Sequence, residues 1–238
     1  MKSSDSKMAK GKCVHCGCET NSVPVNFMGL KELPPAEVCF NPKCVDAESL
    51  VVRKIQDEVY KRTHPQETPI PPLFADTDLS RLPEPLNVIA ETWQPDGKGL
   101  IIHGTSRKGK TRTAWYMAKR LYDESPYANR FLFLTMFDLE VRLVSAWGTH
   151  SWDREMTKMV SVPLLFLDDL GKEKMTDRMA SVLFALIDQR TQFKRSTIIT
   201  TNLTGDQLLE RFHDKETGNA FVSRLRDDNL FNRANVKN

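Results

Sequence analysis

Between Gly99 and Thr201 the chain alternates short apolar runs with longer segments whose apolar residues recur every three or four positions. Residues 99–104 (GLIIHG), 131–135 (FLFLT), 162–167 (VPLLFL) and 196–201 (STIITT) are unbroken apolar or β-branched runs, the pattern of strands buried on both faces of a parallel sheet. Residues 110–123 carry Ala114, Ala118, Leu121 and Tyr122 at helical spacing, and Met179, Val182, Leu183, Leu186 and Ile187 form a helical stripe suited to core packing. Strand and helix in this order predict an α/β fold: a parallel sheet flanked by helices on both faces.

The pattern differs upstream. Residues 46–62 predict a helix with Val51, Ile55 and Val59 on one face. The stretch HPQETPIPP that follows holds Pro65, Pro69, Pro71 and Pro72, which disfavour regular helix and predict an extended connector. Three regions result: 1–45 with all the cysteines, 46–78 as helix and proline-rich linker, and 79–238 as the α/β domain.

Composition adds little except by exclusion. A hydrophobic share of 40% with 27% charged residues is that of a soluble globular protein. No apolar run approaches the roughly 20 residues that span a bilayer, so no membrane partner is expected. The opening MKSSDSKMAKGK has no apolar heart and does not read as a secretory signal, which makes a cytoplasmic location the expectation. Lys2, Lys7, Lys10 and Lys12 against Asp5 account for the whole net charge of +3. A basic start this short is ordinarily a solvated tail, and the net charge does not by itself announce nucleic-acid binding.

The chemistry begins at the end of the first apolar run. Gly104, Thr105, Ser106, Arg107, Lys108, Gly109, Lys110 and Thr111 fit G-x-x-x-x-G-K-[ST]. Such a loop wraps phosphates in backbone N–H groups, which requires glycine where the path is tight. The following helix points its positive end at the anion, Lys110 reaches the β- and γ-phosphates of ATP, and the Thr111 hydroxyl ligates Mg²⁺. Arg107 and Lys108 bring bulk to positions where many such loops have glycine.

The third apolar run delivers Asp168 and Asp169. A strand-end carboxylate beside the phosphate loop suits the Mg²⁺ shell, so Asp168 is expected there, acting mainly through water, with Asp169 orienting and activating the attacking water. The fourth run ends in Thr200-Thr201-Asn202, where the Asn202 amide can hydrogen-bond the γ-phosphate or the lytic water.

This order of motifs resembles the AAA+ ATPases, and within them the bacterial and phage helicase-loader group (DnaC-, DnaI- and IstB-like). The resemblance covers roughly 79–238 and rests on the phosphate loop, LLFLDDLG at 164–171, TTN at 200–202 and Ser223-Arg224-Leu225-Arg226. The Asp-Asp-Leu-Gly portion is its most specific part. The resemblance implies ATP hydrolysis with Mg²⁺, Asn202 as the sensor asparagine, and Arg224 as an arginine finger inserted into a neighbouring subunit's site, with Arg226 as the alternative. It therefore implies a homo-oligomer. With about a dozen residues after Arg226, it also implies an ATPase domain without the full C-terminal helical lid of larger AAA+ proteins.

All five cysteines fall between Cys13 and Cys44. Cys13 with Cys16 and Cys39 with Cys44 form CxxC and CxxxxC pairs that can meet tetrahedrally around a structural Zn²⁺; Cys18 and His15 are spare candidate ligands, and disulfides are the weaker reading in a cytosolic chain. Gram-positive helicase loaders resemble this in carrying an N-terminal zinc module that grips the helicase, although zinc ribbons also bind DNA.

Finally, residues 137–160 are too long for a simple crossover turn. They read as two short helices around Gly148, carrying Arg142, Trp147, His150, Trp152, Arg154 and Lys158, a mixture of cations and aromatic rings suited to single-stranded DNA. The resemblance extends a DNA-contacting insertion to this segment. The expected function is ATP-dependent loading of a replicative DNA helicase. The alternatives are a transposition helper ATPase of the IstB type and, less favoured, a P-loop kinase, for which no arginine-rich lid segment is present. A zinc adaptor with a degenerate nucleotide site conflicts with intact Lys110, Thr111 and Asp168.

Overall fold

The computed structural model describes residues 10–13, 16–21, 23–27, 30–33, 43, 54, 70–125, 130–147, 151–172 and 175–236. The chain divides into two units, 1–60 and 61–238. In the first, β1 (Lys10–Lys12) pairs antiparallel with β2 (Glu19–Asn21), and β3 (Val23–Phe27) with β4 (Leu30–Leu33). Apart from Lys54, which is helical, the helix expected over 46–62 lies outside the described residues.

Among the described residues the second unit begins with α1 (Pro72–Ala75), a turn of helix at the point where the prolines predicted an extended connector. Pro72 occupies the first helical position, where its fixed φ is preorganised and its missing N–H costs nothing. The turn is held by stacking. Phe74 lies 6.1 Å from Trp115, which stacks at 3.7 Å on Phe133, itself 5.3 Å from Phe166. Arg112 donates to the Leu73 carbonyl at 3.0 Å. After α2 (Leu86–Thr92) come β5 (Gly99–Gly104), α3 (Lys110–Glu124), β6 (Phe131–Thr135), α4 (Met136–Ala146), α5 (Ser151–Ser161), β7 (Leu164–Asp168), α6 (Asp177–Gln192), β8 (Thr197–Thr201), α7 (Gly205–Glu210), α8 (Lys215–Arg226) and β9 (Phe231–Val236).

The five strands form one parallel sheet in the order β6-β7-β8-β5-β9. Both faces are buried, which is why the strands read as unbroken apolar runs. Leu165 and Leu167 face a core built with α4, α5, α6 and α8, while Leu164 and Phe166 face Trp115, Met117, Ala118 and Leu121 of α3. The sequence reading missed β9, because only Phe231, Ala234 and Val236 of its six residues are buried and three polar residues interrupt them.

One buried cation ties the lower end of this sheet together. Arg190 of α6 is fully buried; it donates to the carbonyls of Met159, Val160, Val162, Pro163 and Ser196 and to Thr197 Oγ1. Burial pushes its pKa down to about 9, with Arg195 adding to the effect. The fork geometry of a guanidinium lets one side chain cap the end of α5 and hold the starts of β7 and β8.

Candidate nucleotide site

The phosphate loop leaves β5 at the C-terminal edge of the sheet and enters α3 at Lys110. Gly109 has φ +87°, and a Cβ there would lie 2.7 Å from Leu82 Cδ2, so the position needs glycine for both conformation and space. Arg107 takes φ +64°, the left-handed region, and tolerates as an arginine what glycine takes freely. Thr105, Ser106 and Arg107 are exposed, Lys108 is half-buried, and Gly104 is buried against β9.

Lys110 is buried, and its ammonium donates three hydrogen bonds: to Gly104 O and Thr105 O at 2.8 Å each and to Asn202 Oδ1 at 2.6 Å. Burial pushes its pKa down, while Asp169 and Asp168 oppose that shift. Thr111 Oγ1 lies 3.0 Å from both carboxylate oxygens of Asp168. Thr200 Oγ1 donates to Asp168 Oδ1 at 2.5 Å and accepts from the Asp169 N–H at 2.9 Å. Burial raises the Asp168 pKa, and the two threonine hydroxyls work against it.

Asp169 turns out of the strand with φ +61°, its carboxylate 4.0 Å from Lys172 Nζ. The turn closes with Leu170 N–H donating to Thr200 O and Thr201 Oγ1 to Leu170 O. Gly171 follows because a Cβ there would sit 2.7 Å from Leu203 and 2.8 Å from Leu208. Loop lysine, Thr111, both aspartates and Asn202 are thus brought together at the ends of β5, β7 and β8. The role of Thr200 was not legible in the sequence: it arises from the β7–β8 register, which sets the threonine beside Asp168.

Arg224 is not at this centre. It pairs with Asp188 of α6 and lies 4.9 Å over the Phe184 ring. Arg226 points elsewhere, to Asp206 of α7 at 2.6 Å. In the insertion, α4 and α5 are the two helices expected, with His150 and Gly148 outside the described residues. Trp147 is exposed beneath the Arg178 guanidinium, at 3.2 Å from the ring centre; Trp152 packs on the core, and Arg142 lies 3.4 Å from Glu155. Phe137, Val141 and Val144 of α4 are exposed as well.

In the first unit, the Sγ atoms of Cys13, Cys16 and Cys18 lie within 4.8 Å of one another. Gly17, at φ +72°, donates its N–H to Cys13 O, and Cys13 N–H donates to Cys18 O, which folds the segment back on itself. Cys18, a spare candidate in the sequence, therefore joins Cys13 and Cys16. His15, Cys39 and Cys44 lie outside the described residues.

Known proteins resemble this chain in sequence and in fold. The chain is 25% identical over 123 residues to the replicative helicase loader DnaI of Bacillus subtilis, covering 51% of this chain and 39% of that protein. It is 28% identical over 142 residues to a putative ATP-binding protein of insertion sequence IS232 from Bacillus thuringiensis, covering 59% and 54%. It thus spans about half the length, or less, of these relatives. Among solved structures, DnaI superposes with a TM-score of 0.54 at 21% identity over 70% of this chain and 94% of that one. The DnaC helicase loader gives 0.52 at 24% identity over 64% and 86%. These likenesses establish an AAA+ fold. No helix among the described residues is long and apolar enough to cross a membrane. The model of the IstB-like ATP binding protein family matches residues 86–230, which hold every element of the nucleotide site, and the chain belongs to that family.

Proposed function

We propose that this protein hydrolyses ATP and uses the cycle to load a replicative helicase onto single-stranded DNA. The observation that supports hydrolysis is the convergence of Asp168, Asp169 and Asn202 on Lys110 and Thr111. Thr111 Oγ1 and the Asp168 carboxylate are hard oxygen donors side by side, a donor set that fits Mg²⁺. Thr111 and Asp168 would hold Mg²⁺ there, and the ion would supply neutralisation of phosphate charge. Lys110 exchanges carbonyl contacts for phosphate contacts as ATP enters. Asp169, turned out of the strand and only partly buried, accepts a hydrogen bond from the attacking water, and Asn202 orients the same water or the γ-phosphate. Arg224 completes the site of a neighbouring copy, which makes the working form an oligomer.

The loader reading is supported by the DnaI relative and by the cysteine-bearing first unit, which we assign a structural Zn²⁺ and a helicase-docking role. The exposed Trp147 with Arg178, together with Arg154 of α5, forms the DNA contact. A cytoplasmic site of action follows from this reading. The family match and the insertion-sequence relative favour a second reading, a helper ATPase for a transposase. One experiment tests both levels. Asp169→Asn is expected to bind ATP without hydrolysing it and so trap the ATP-bound complex; turnover at the native rate would assign water activation to another residue. Capture of the replicative helicase by the trapped protein supports loading, whereas capture of the transposase alone replaces it with the helper reading.

A further inference from the structure

The two arginines near the end of α8 are two residues apart, so on a helix they project to different sides and cannot share one task. Arg224 turns to α6, where it meets Asp188 and Phe184. Arg226 turns to α7 of its own chain. Its Nη2 donates to Asp206 Oδ1 at 2.6 Å, and its guanidinium lies so close over Gly205 that a Cβ there would meet Nη2 at 2.5 Å and Cζ at 2.8 Å. Gly205 is the first residue of α7, three positions after Asn202. The intervening Thr204 caps α7 in a reciprocal pair with Gln207, so a short segment with a hydrogen-bonded helix start joins Asn202 to the residues under the guanidinium. Arg226 also lines a cleft of about 760 Å³ together with Asn202, Gly205, Gln207 and the loop residues Gly104 and Thr105, whose carbonyls receive Lys110.

We propose that Arg226 acts in cis as a positioning residue for Asn202, clamping the start of α7 so that the Asn202 amide stays on Lys110, and that it does not serve a neighbouring chain. This rests on the ATPase reading above. The clamp combines one charged hydrogen bond with close packing over glycine. Asp206 is largely exposed (85%), so the ion pair alone adds little to stability, and the effect falls on the geometry of the asparagine.

Three measurements test this. Arg226→Ala is expected to lower kcat about ten-fold while KM for ATP changes less than about two-fold, because a displaced asparagine affects the chemical step more than binding. Arg226→Lys, which can still reach Asp206, should recover most of the loss. Asp206→Asn, at an exposed position that does not endanger folding, should lower kcat in the same direction, and combining it with Arg226→Ala should add nothing further. In equimolar mixtures with Lys110→Ala chains, Arg226→Ala chains should gain no activity. Additive effects in the cycle, or recovery of activity in that mixture, would overturn the proposal. Wild-type protein that fails to turn over ATP sinks the reading beneath it, whereas normal turnover by Arg226→Ala sinks the clamp alone.

Discussion

Asn202 at the end of β8 accepts a 2.6 Å hydrogen bond from Lys110 Nζ at the start of α3. The other two donors of that ammonium go to Gly104 O and Thr105 O, so every lysine proton is engaged within the protein. On the reading proposed above, a triphosphate gains Lys110 by exchange, and the asparagine proposed to read the γ-phosphate is in contact with the lysine proposed to bind it.

That contact separates binding from turnover. Lys110→Ala should abolish ATP binding in a fluorescent-nucleotide titration. Asn202→Ala should bind ATP at least as tightly as the wild type, since it removes a competitor for the lysine, yet lose about 10²-fold in kcat, the scale expected for one oriented polar group. Weakened binding by Asn202→Ala would mean the amide holds nucleotide instead of timing its hydrolysis.

Asp168 sets a stability cost. Burial raises its folded pKa above the unfolded value, so its contribution to stability is greatest below the unfolded pKa and is lost as pH rises through the folded pKa. Asp168→Asn keeps an acceptor for Thr111 and Thr200 without the buried charge. It should therefore raise Tm at neutral pH, show a smaller gain in acid, and lose Mg²⁺-dependent turnover. A Tm that falls equally at both pH values would show that the ionised carboxylate stabilises the fold.

For the first unit, elemental analysis should find about one zinc per chain, lost in Cys13→Ser with unfolding confined to that unit. Cys16 Sγ and Cys18 Sγ are 3.3 Å apart, so Cys18→Ser should also weaken metal binding. Metal retained at full strength in Cys18→Ser would return the ligand set to Cys13, Cys16, Cys39 and Cys44. Protein purified without any metal would remove zinc altogether.

Single-stranded DNA should be held by the exposed part of the insertion. Trp147→Ala should weaken binding of a labelled oligonucleotide by about 1–3 kcal/mol, the worth of one base stack. Arg154→Ala should weaken it in a manner that fades at high salt. Trp152 packs on the core, so its substitution should cost stability first. Unchanged affinity in both Trp147→Ala and Arg154→Ala, with intact circular dichroism, would leave α4 and α5 as structural helices.

Arg190 makes a different demand. Arg190→Met takes the guanidinium from five carbonyls of the α5, β7 and β8 junction, of which Ser196 O keeps the Leu165 N–H, and orphaned buried acceptors cost about 1–3 kcal/mol each. Chemical denaturation should register a loss of at least about 3 kcal/mol, and an unchanged midpoint would show that water replaces the guanidinium.

The residues that converge at the candidate nucleotide site were legible in the sequence because each part is a local pattern. Strands buried on both faces must be apolar throughout, and a phosphate loop must place Gly109, Lys110 and Thr111 in one short stretch, whatever surrounds them. Asp168, Asp169 and Asn202 could be read for the same reason, as polar residues ending apolar strands. What depends on neighbours distant in sequence could not be read. The Thr200 hydroxyl bonds Asp168 only because β7 and β8 run side by side in register. Residues 72–75 form a helical turn and not an extended connector because Phe74 finds Trp115 to stack on. β9 carries three exposed residues in six and becomes a strand by pairing with β5, its hydrogen bonds supplied by the existing sheet. Arg224 and Arg226 look alike in sequence, and only the packing of α8 between α6 and α7 gives the first to Asp188 and the second to Asp206, since two residues along a helix turn a side chain to a different face.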